Sequence, residues 1–284
     1  MIFLDQMHKL ATTGRSGEIK PVTKEEVHSL GKEDLLILHR ILVAPHVALT
    51  LMAMQKAGFF LDLIPEIQES LDLKSSKHFK EIWPHTLRVI NQTPPTLTLR
   101  WSALFHDLGK AKAFSIKNDK VTFHHHEKIS AKIFNSFAKE TKIFSPGQKN
   151  CIYCLVSNLG YIEGYDNSWT DSAVRRFAKE IGPYLNDLLI LSEADITTAN
   201  PQRRSKIINK INNLRQRISD IAVQDAKRSG LPKGLGNEIS EALGIPIGPR
   251  IGELRNILET KIESGELLPD REFQYYIGYL RGVI

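Results

Sequence analysis

Adjacent imidazole and carboxylate groups stand out in Leu104-Phe105-His106-Asp107-Leu108-Gly109-Lys110, at the end of the apolar run LRWSALFHDLGK. Neighbouring side chains on a helix point about 100° apart, so both reach one ion only where the helix end is shaped for it. The glycine two residues after Asp107 fits a helix that stops there. Imidazole and carboxylate donors together suit one divalent ion: Mn²⁺, Fe²⁺, Zn²⁺, Ni²⁺ or, less well, Mg²⁺. A His-Asp dipeptide is common by chance, so the reading depends on partners elsewhere. His85 lies in Trp83-Pro84-His85-Thr86-Leu87-Arg88-Val89-Ile90, and Phe123-His124-His125-His126-Glu127 precedes a helical pattern. Asp195 is embedded in LLILSEADITTA, where a carboxylate is unfavourable by several kcal/mol unless it is paired or binds a metal. Each also has a structural reading: His85 as a packed or capping histidine, the triple His as a solvated loop, Asp195 as the partner of an arginine.

The elements that must position these groups are helices. Apolar residues recur at three- and four-residue steps over 35–43, 47–60, 80–91, 97–111, 126–140, 148–159, 171–182, 184–198, 202–224, 249–265 and 271–281. Thr170-Asp171 and Asn200-Pro201 read as helix starts. Strand-like alternation is confined to Lys120–Phe123, too short to build a sheet. The fold class expected is all-α. Breaks fall at 12–24, 92–97, 160–169 and 229–248. The last of these (SGLPKGLGNEISEALGIPIG) is rich in glycine and proline and reads as a linker. Cys151 and Cys154 lie three apart on an apolar helix face. With no second pair to complete a zinc site and no βαβ pattern around them, they read as core cysteines.

The 284 residues carry 42% apolar and 25% charged side chains, an ordinary globular balance. No stretch of about 18 apolar residues predicts a membrane span. The N-terminal MIFLDQMHKL lacks a secretory pattern, so a cytoplasmic protein is expected. The net charge of +6 is concentrated between Asn200 and Gly230, where Arg203, Arg204, Lys206, Lys210, Arg215, Arg217, Lys227 and Arg228 face only Asp220 and Asp225. In that segment Ile207, Ile208, Ile211, Leu214, Ile218 and Ile221 form one stripe with the charges largely opposite. A solvated helix face is the ordinary reading, and a phosphate-bearing partner the functional one.

The order H…HD…HxHE…D resembles the HD superfamily of metal-dependent phosphohydrolases. More narrowly, the chain from about residue 35 is similar to the HD-containing C-terminal portion of bacterial CCA-adding tRNA nucleotidyltransferases and poly(A) polymerases. Ala44-Pro45-His46, Gly58-Phe59-Phe60 and Leu63-Ile64-Pro65-Glu66 resemble that family's segment between head and body. Ser172-Ala173-Val174-Arg175-Arg176-Phe177 and Glu193-Ala194-Asp195 are similar to its later HD helices. Gly248-Pro249-Arg250-Ile251-Gly252 with Gly265-Glu266-Leu267 is similar to its C-terminal signature.

The resemblance implies an HD-domain helical bundle with flanking N- and C-terminal helical segments. Its expected divisions are an extension at 1–34, a neck-like segment at 35–75, the HD domain at 76–200, and a C-terminal segment with the basic helix and tail at 201–284. It implies ligation of one divalent metal ion (Mn, Ni, Fe, Zn or Mg) by His85, His106, Asp107 and Asp195. His126 would add a ligand or a phosphate contact, and Lys110 and His124 would contact phosphate. Asp107 would also orient or deprotonate the attacking water. Arg203, Arg204 and Lys206 would steer a nucleotide or nucleic acid. The activity expected is hydrolysis of a phosphomonoester, a 2′,3′-cyclic phosphate or a nucleotide.

Two departures qualify the resemblance. The family's head domain, with its glycine-rich turn and Asp-x-Asp pair, has no counterpart here and no room before residue 35, so nucleotide addition by this chain alone is not expected. Gly160 stands where HD members often carry a further histidine, which argues for a mononuclear or an altered site. The alternative function is an RNA- or tRNA-holding body that works beside a separate nucleotidyltransferase subunit, its HD site vestigial.

Overall fold

The computed structural model describes residues 2–73, 82–117, 120–166, 168–228 and 230–283. Helices dominate it, in agreement with the all-α reading. The expected boundary at residues 75 and 76 lies outside the described residues.

The chain packs as two compact units, Met1–Leu214 and Arg215–Ile284. In the first, helix Ile2–Thr13 buries Leu4, Met7, Leu10 and Ala11. Its end is tied down where His46 N donates to Ala11 O at 2.9 Å. Phe3 stacks on Phe59, ring centroids 5.5 Å apart, so these residues belong to the core of the unit. Helices Ile82–Gln92, Leu97–Phe105, His126–Thr141, Pro146–Gly164 and Leu185–Ala194 surround the histidines and carboxylates singled out above. Ser145 opens helix Pro146–Gly164 with a capping box completed by Gln148 and a proline in the first turn.

An aromatic cluster holds these helices together. Trp101 meets Phe144 at 5.0 Å, and Phe105 meets Phe134 and Phe137 at 5.3 Å each. Phe105 and Phe134 are wholly buried; burial of one such ring contributes about 2–3 kcal/mol. Phe105 immediately precedes His106, so the core anchors the backbone that carries the His-Asp pair. Cys151 is buried and Cys154 half-buried, both free, and burial pushes the Cys151 thiol up to about 11. Neither is poised to be a thiolate nucleophile.

Two local expectations change. Lys120–Thr122 pairs antiparallel with Ser115–Lys117, with Ile116 opposite Val121. The short run thus finds a partner in the preceding loop and closes a two-stranded hairpin rather than standing alone. Residues 229–248 are not a linker throughout, because Leu235–Leu243 is a helix. Gly234 and Gly244, with φ of 90° and 66°, bracket it in left-handed conformations that glycine adopts without strain. Leu235 and Ile239, one turn apart, are fully buried in the second unit with Leu254, Leu258, Tyr276, Ile277 and Leu280. The glycines that suggested a linker are helix punctuation. In that unit the Tyr276 hydroxyl accepts from Arg271 N at 3.1 Å and lies 2.9 Å from the carbonyls of Gly230 and Leu268.

Candidate metal centre

The backbone brings the four groups together by three identifiable devices. Helix Leu97–Phe105 ends at His106, and Asp107 begins the turn that follows. Gly109 N donates to Ser130 Oγ at 2.8 Å, and a β-carbon on Gly109 would overlap His126 O and Ser130 N. The turn therefore lies directly against the start of helix His126–Thr141, which only glycine permits. His125, at φ 62° and ψ 23°, turns the chain so that His126 opens that helix. Finally, Gln92 Nε2 donates to Ala194 O at 2.8 Å, linking the helix of His85 to the helix end that carries Asp195.

The donor atoms converge. His85 Nε2 is 2.9 Å from Asp195 Oδ1 and 3.5 Å from Asp107 Oδ2. His106 Nε2 is 3.3 Å from Asp107 Oδ2, 3.4 Å from Asp195 Oδ1 and 3.3 Å from His85 Nε2. Ligands held about 2.1 Å from one ion stand about 3.0–3.4 Å apart at octahedral or tetrahedral angles, the spacing seen here. His106 Nδ1 donates to Ala103 O at 2.8 Å, and His85 Nδ1 lies 2.9 Å from Thr197 Oγ1. An imidazole that spends its Nδ1 proton on a carbonyl presents a bare Nε2 lone pair when neutral. Asp195 Oδ1 is buried and makes no well-formed hydrogen bond, although His85 Nε2 lies 2.9 Å away. Donor atoms brought this close repel unless a proton or a metal cation stands between them. The donor set fits a divalent ion. His85, His106 and Asp107 by themselves satisfy the geometry of a metal-holding group.

The family assignment follows from the segment that holds these residues. The model of the HD domain matches residues 82–200. The chain contains an HD domain. Two curated proteins are similar over most of this chain: the A-adding tRNA nucleotidyltransferase of Deinococcus radiodurans, 24% identical over 248 residues, and the CC-adding tRNA nucleotidyltransferase of Thermus thermophilus, 24% identical over 258 residues. These matches cover 84% and 86% of this chain and 56% of each relative. The chain therefore spans little more than half the length of these relatives. HD domains bind divalent metals, in keeping with the donor set.

Around the HD-domain centre the charges are strongly coupled. Burial alone would push the His106 imidazole down and both carboxyls up. Asp107 and Asp195 overcome this for His106 and raise it to about 10. His106 and Lys110 hold Asp107 well below the usual carboxylate range, and His106 and His85 do the same for Asp195. Without a cation, protons take its place. Lys110 Nζ donates to Asp107 Oδ2 at 2.6 Å and lies 5.9 Å from the centre of the Phe123 ring. His126 donates from Nδ1 to Phe123 O at 3.0 Å and turns Nε2 toward Asp107 Oδ1 at 3.4 Å. Asp107 thus addresses the four-atom cluster with one oxygen and His126 with the other.

The centre opens into a cavity of about 590 Å³ within the first unit. His85, Asp107, Lys110 and Asp195 form part of its lining, and Arg203 reaches it from helix Pro201–Arg228. The other basic candidates lie elsewhere. Arg204 donates to Ile196 O at 3.2 Å. Lys206 borders a shallow depression on another face with Gln202 and Ser205. The His124 side chain is exposed and outside the cavity lining.

Two residues near the centre, Thr197 and Glu163, were not singled out by sequence reasoning, and a third, Lys210, was counted only within the basic segment. Thr197 orients His85. Lys210 lines the cavity and donates to Glu163 O at 2.6 Å. Glu163 lines it too, its carboxyl raised by burial and by Asp195. Lys210 follows Arg203 by two helical turns, a spacing that places both on one face. Nothing local in the sequence marks Glu163.

Proposed function

We propose that this chain is a phosphohydrolase that uses one divalent cation, held by His85, His106, Asp107 and Asp195, to cleave a phosphomonoester, a 2′,3′-cyclic phosphate or a nucleotide. The observation that carries the reading is the convergence of two imidazole nitrogens and two carboxylate oxygens, with the Lys110 ammonium beside them, at a half-open cavity. When bound, the cation lowers the pKa of water and polarises a phosphoryl oxygen.

The protein's own groups supply the rest. Lys110 neutralises charge on the phosphoryl group while staying within reach of Asp107. Asp107 orients the attacking water and accepts its proton. His126 presents an Nε2 that accepts a proton from water or, once protonated, donates to a phosphate oxygen. The apolar part of the cavity lining lowers the local polarity and so strengthens each of these interactions. A soluble, cytoplasmic location is part of the same proposal, supported by the lack of any helix long and apolar enough to cross a membrane among the described residues.

Metal analysis of the purified protein, with phosphate release assayed on phosphomonoesters, cyclic phosphates and nucleotides in Mn²⁺, Ni²⁺ and Mg²⁺, tests this function. Asp107→Ala should abolish turnover with the circular dichroism spectrum unchanged. A metal-free protein that is inert across the panel would overturn it.

A second reading draws support from the relatives, both named as tRNA nucleotidyltransferases and both matched over more than four fifths of this chain. In it the chain is an RNA-holding body that works with a separate nucleotidyltransferase subunit. That role requires tRNA binding that weakens steeply with salt and with charge reversal at Arg203, Arg204 and Lys206. Salt-independent behaviour, or no binding, counts against it.

A further inference from the structure

The cavity beside the metal centre is larger than a phosphate group requires, and it has two kinds of lining. Phe123, Leu159, Ile162, Ile207 and Ile211 supply apolar lining. Arg203 and Lys210 add cations distinct from Lys110. Residues 203, 207, 210 and 211 share one face of helix Pro201–Arg228, so both cations and both isoleucines are turned to the same space. Arg203 and Lys210 are rooted about 10 Å apart along the helix axis, a span that two long side chains can bridge to meet on one anionic group between them.

Neither cation is consumed by the protein. The Arg203 side chain is exposed and has no carboxylate partner among the described residues. Lys210 makes one hydrogen bond, to Glu163 O, and an ammonium has three donors. Asp166 feels Lys210 electrostatically, but its carboxylate already accepts from Ser168 N at 2.9 Å. A guanidinium at the rim of an apolar cavity calls for an anionic ligand group. A volume of about 590 Å³ encloses one small molecule of nucleotide size.

Resting on the phosphohydrolase reading above, we propose that the substrate is a single nucleotide bearing a second phosphate. The ester phosphate lies at the metal centre with Lys110, the nucleoside covers the apolar lining, and the second phosphate is held by Arg203 and Lys210. A sugar phosphate would leave the apolar lining bare, and a mononucleotide would leave the two outer cations unmatched. The same chemistry comes from a free nucleoside bisphosphate or from the phosphorylated end of an RNA chain whose last residue enters the cavity.

Calorimetric titration of the full chain with Mn²⁺ present tests this, using ribose 5-phosphate, adenosine 5′-monophosphate, adenosine 3′,5′-bisphosphate and an RNA dinucleotide with a 3′-phosphate. The bisphosphate should bind about tenfold more tightly than the monophosphate, the gain of one charge-assisted contact. Ribose 5-phosphate should be the weakest. In Arg203→Gln, and in Arg203→Gln/Lys210→Gln, the ratio of bisphosphate to monophosphate affinity should fall toward one. The single variant alters an exposed side chain and so reports even if the double variant is destabilised. Tighter binding of the dinucleotide than of the free bisphosphate assigns the ligand to an RNA end, and the reverse order to a free nucleotide. Equal affinities for all four compounds, or an unchanged ratio in both variants, would overturn the proposal. Phosphate release from the adenosine bisphosphate and from the phosphomonoester, cyclic-phosphate and nucleotide panel is measured separately: inertness across all of them, with the bisphosphate preference intact, refutes the hydrolase reading and leaves the ligand assignment standing.

Discussion

Glu127 fills the space that a side chain on Gly160 would take: a β-carbon built on Gly160 would overlap Glu127 Oε1. The bare position on helix Pro146–Gly164 is thus filled by a neighbouring side chain. It is a notch into which the residue after His126 places its carboxylate. Gly160→Ala should push aside only the flexible end of Glu127, at a cost below about 1 kcal/mol that the better helix propensity of alanine partly offsets. A double-mutant cycle with Glu127→Ala, read by urea denaturation, checks this. The second change should relieve most of the first. If the two effects simply add, the notch has no structural role.

Gly109 is under a stricter constraint, because the atoms in the way are the backbone carbonyl of His126 and the amide of Ser130. Backbone cannot swing aside like a side chain. Gly109→Ala should therefore destabilise by about 2–3 kcal/mol or more and lower metal content by separating Asp107 from His126. Ser130→Ala removes only the acceptor for Gly109 N and should destabilise by about 1–3 kcal/mol. Thermal unfolding with metal analysis of both variants gives the comparison.

Divalent metal should raise the unfolding temperature of this protein, and a chelator should lower it. At free metal 100 times the dissociation constant, the stabilisation expected is about 2.7 kcal/mol. Asp195→Asn keeps the size of the side chain but removes the charge of the orphaned Oδ1, and should shrink that stabilisation to near zero. A variant that keeps the full metal-induced shift would exclude Asp195 as a ligand.

Metal affinity should rise with pH. Burial lowers the His106 pKa, but Asp107 and then Asp195 pull it up to about 10 in the metal-free protein, so the imidazole carries a proton at neutral pH that the cation must displace. Affinity then increases by up to about tenfold per pH unit between pH 7 and pH 10 and levels off above, where no proton remains to be displaced. Calorimetry in two buffers of different ionisation enthalpy should show about one proton released per ion at pH 7.5. Release of no proton would mean that His106 is already neutral.

Local rules made the helices, their starts at Thr170 and Asn200, and the candidacy of His106 and Asp107 as metal ligands legible in the sequence. Each depends on residues within about one or two turns: side-chain periodicity, a hydroxyl or amide that caps, a glycine at a helix stop. Thr170 Oγ1 does accept from Ala173 N, and Asn200 Oδ1 from Arg203 N. The order of His85, His126 and Asp195 along the chain was legible as well, through its likeness to the HD pattern.

Only packing decided the rest. His85 meets Thr197 across 112 positions of sequence, and no local preference records such a pairing. The basic helix looked uniform as a charge count, yet its tertiary setting turns Arg203 and Lys210 into the cavity, ties Arg204 to Ile196 O and leaves Lys206 on another face. Glu127 acquires its place because a neighbouring helix admits it, and Glu163 because its helix sets its carboxyl near Asp195 and Lys110. Gly234 and Gly244 signalled a break in either reading, and the partners available to Leu235 and Ile239 made the stretch between them a helix. Residue type and spacing determine what chemistry a side chain is able to perform. Which side chains perform it together is set by long-range burial, which brings distant donors within 3.5 Å and excludes the water that would otherwise keep them apart.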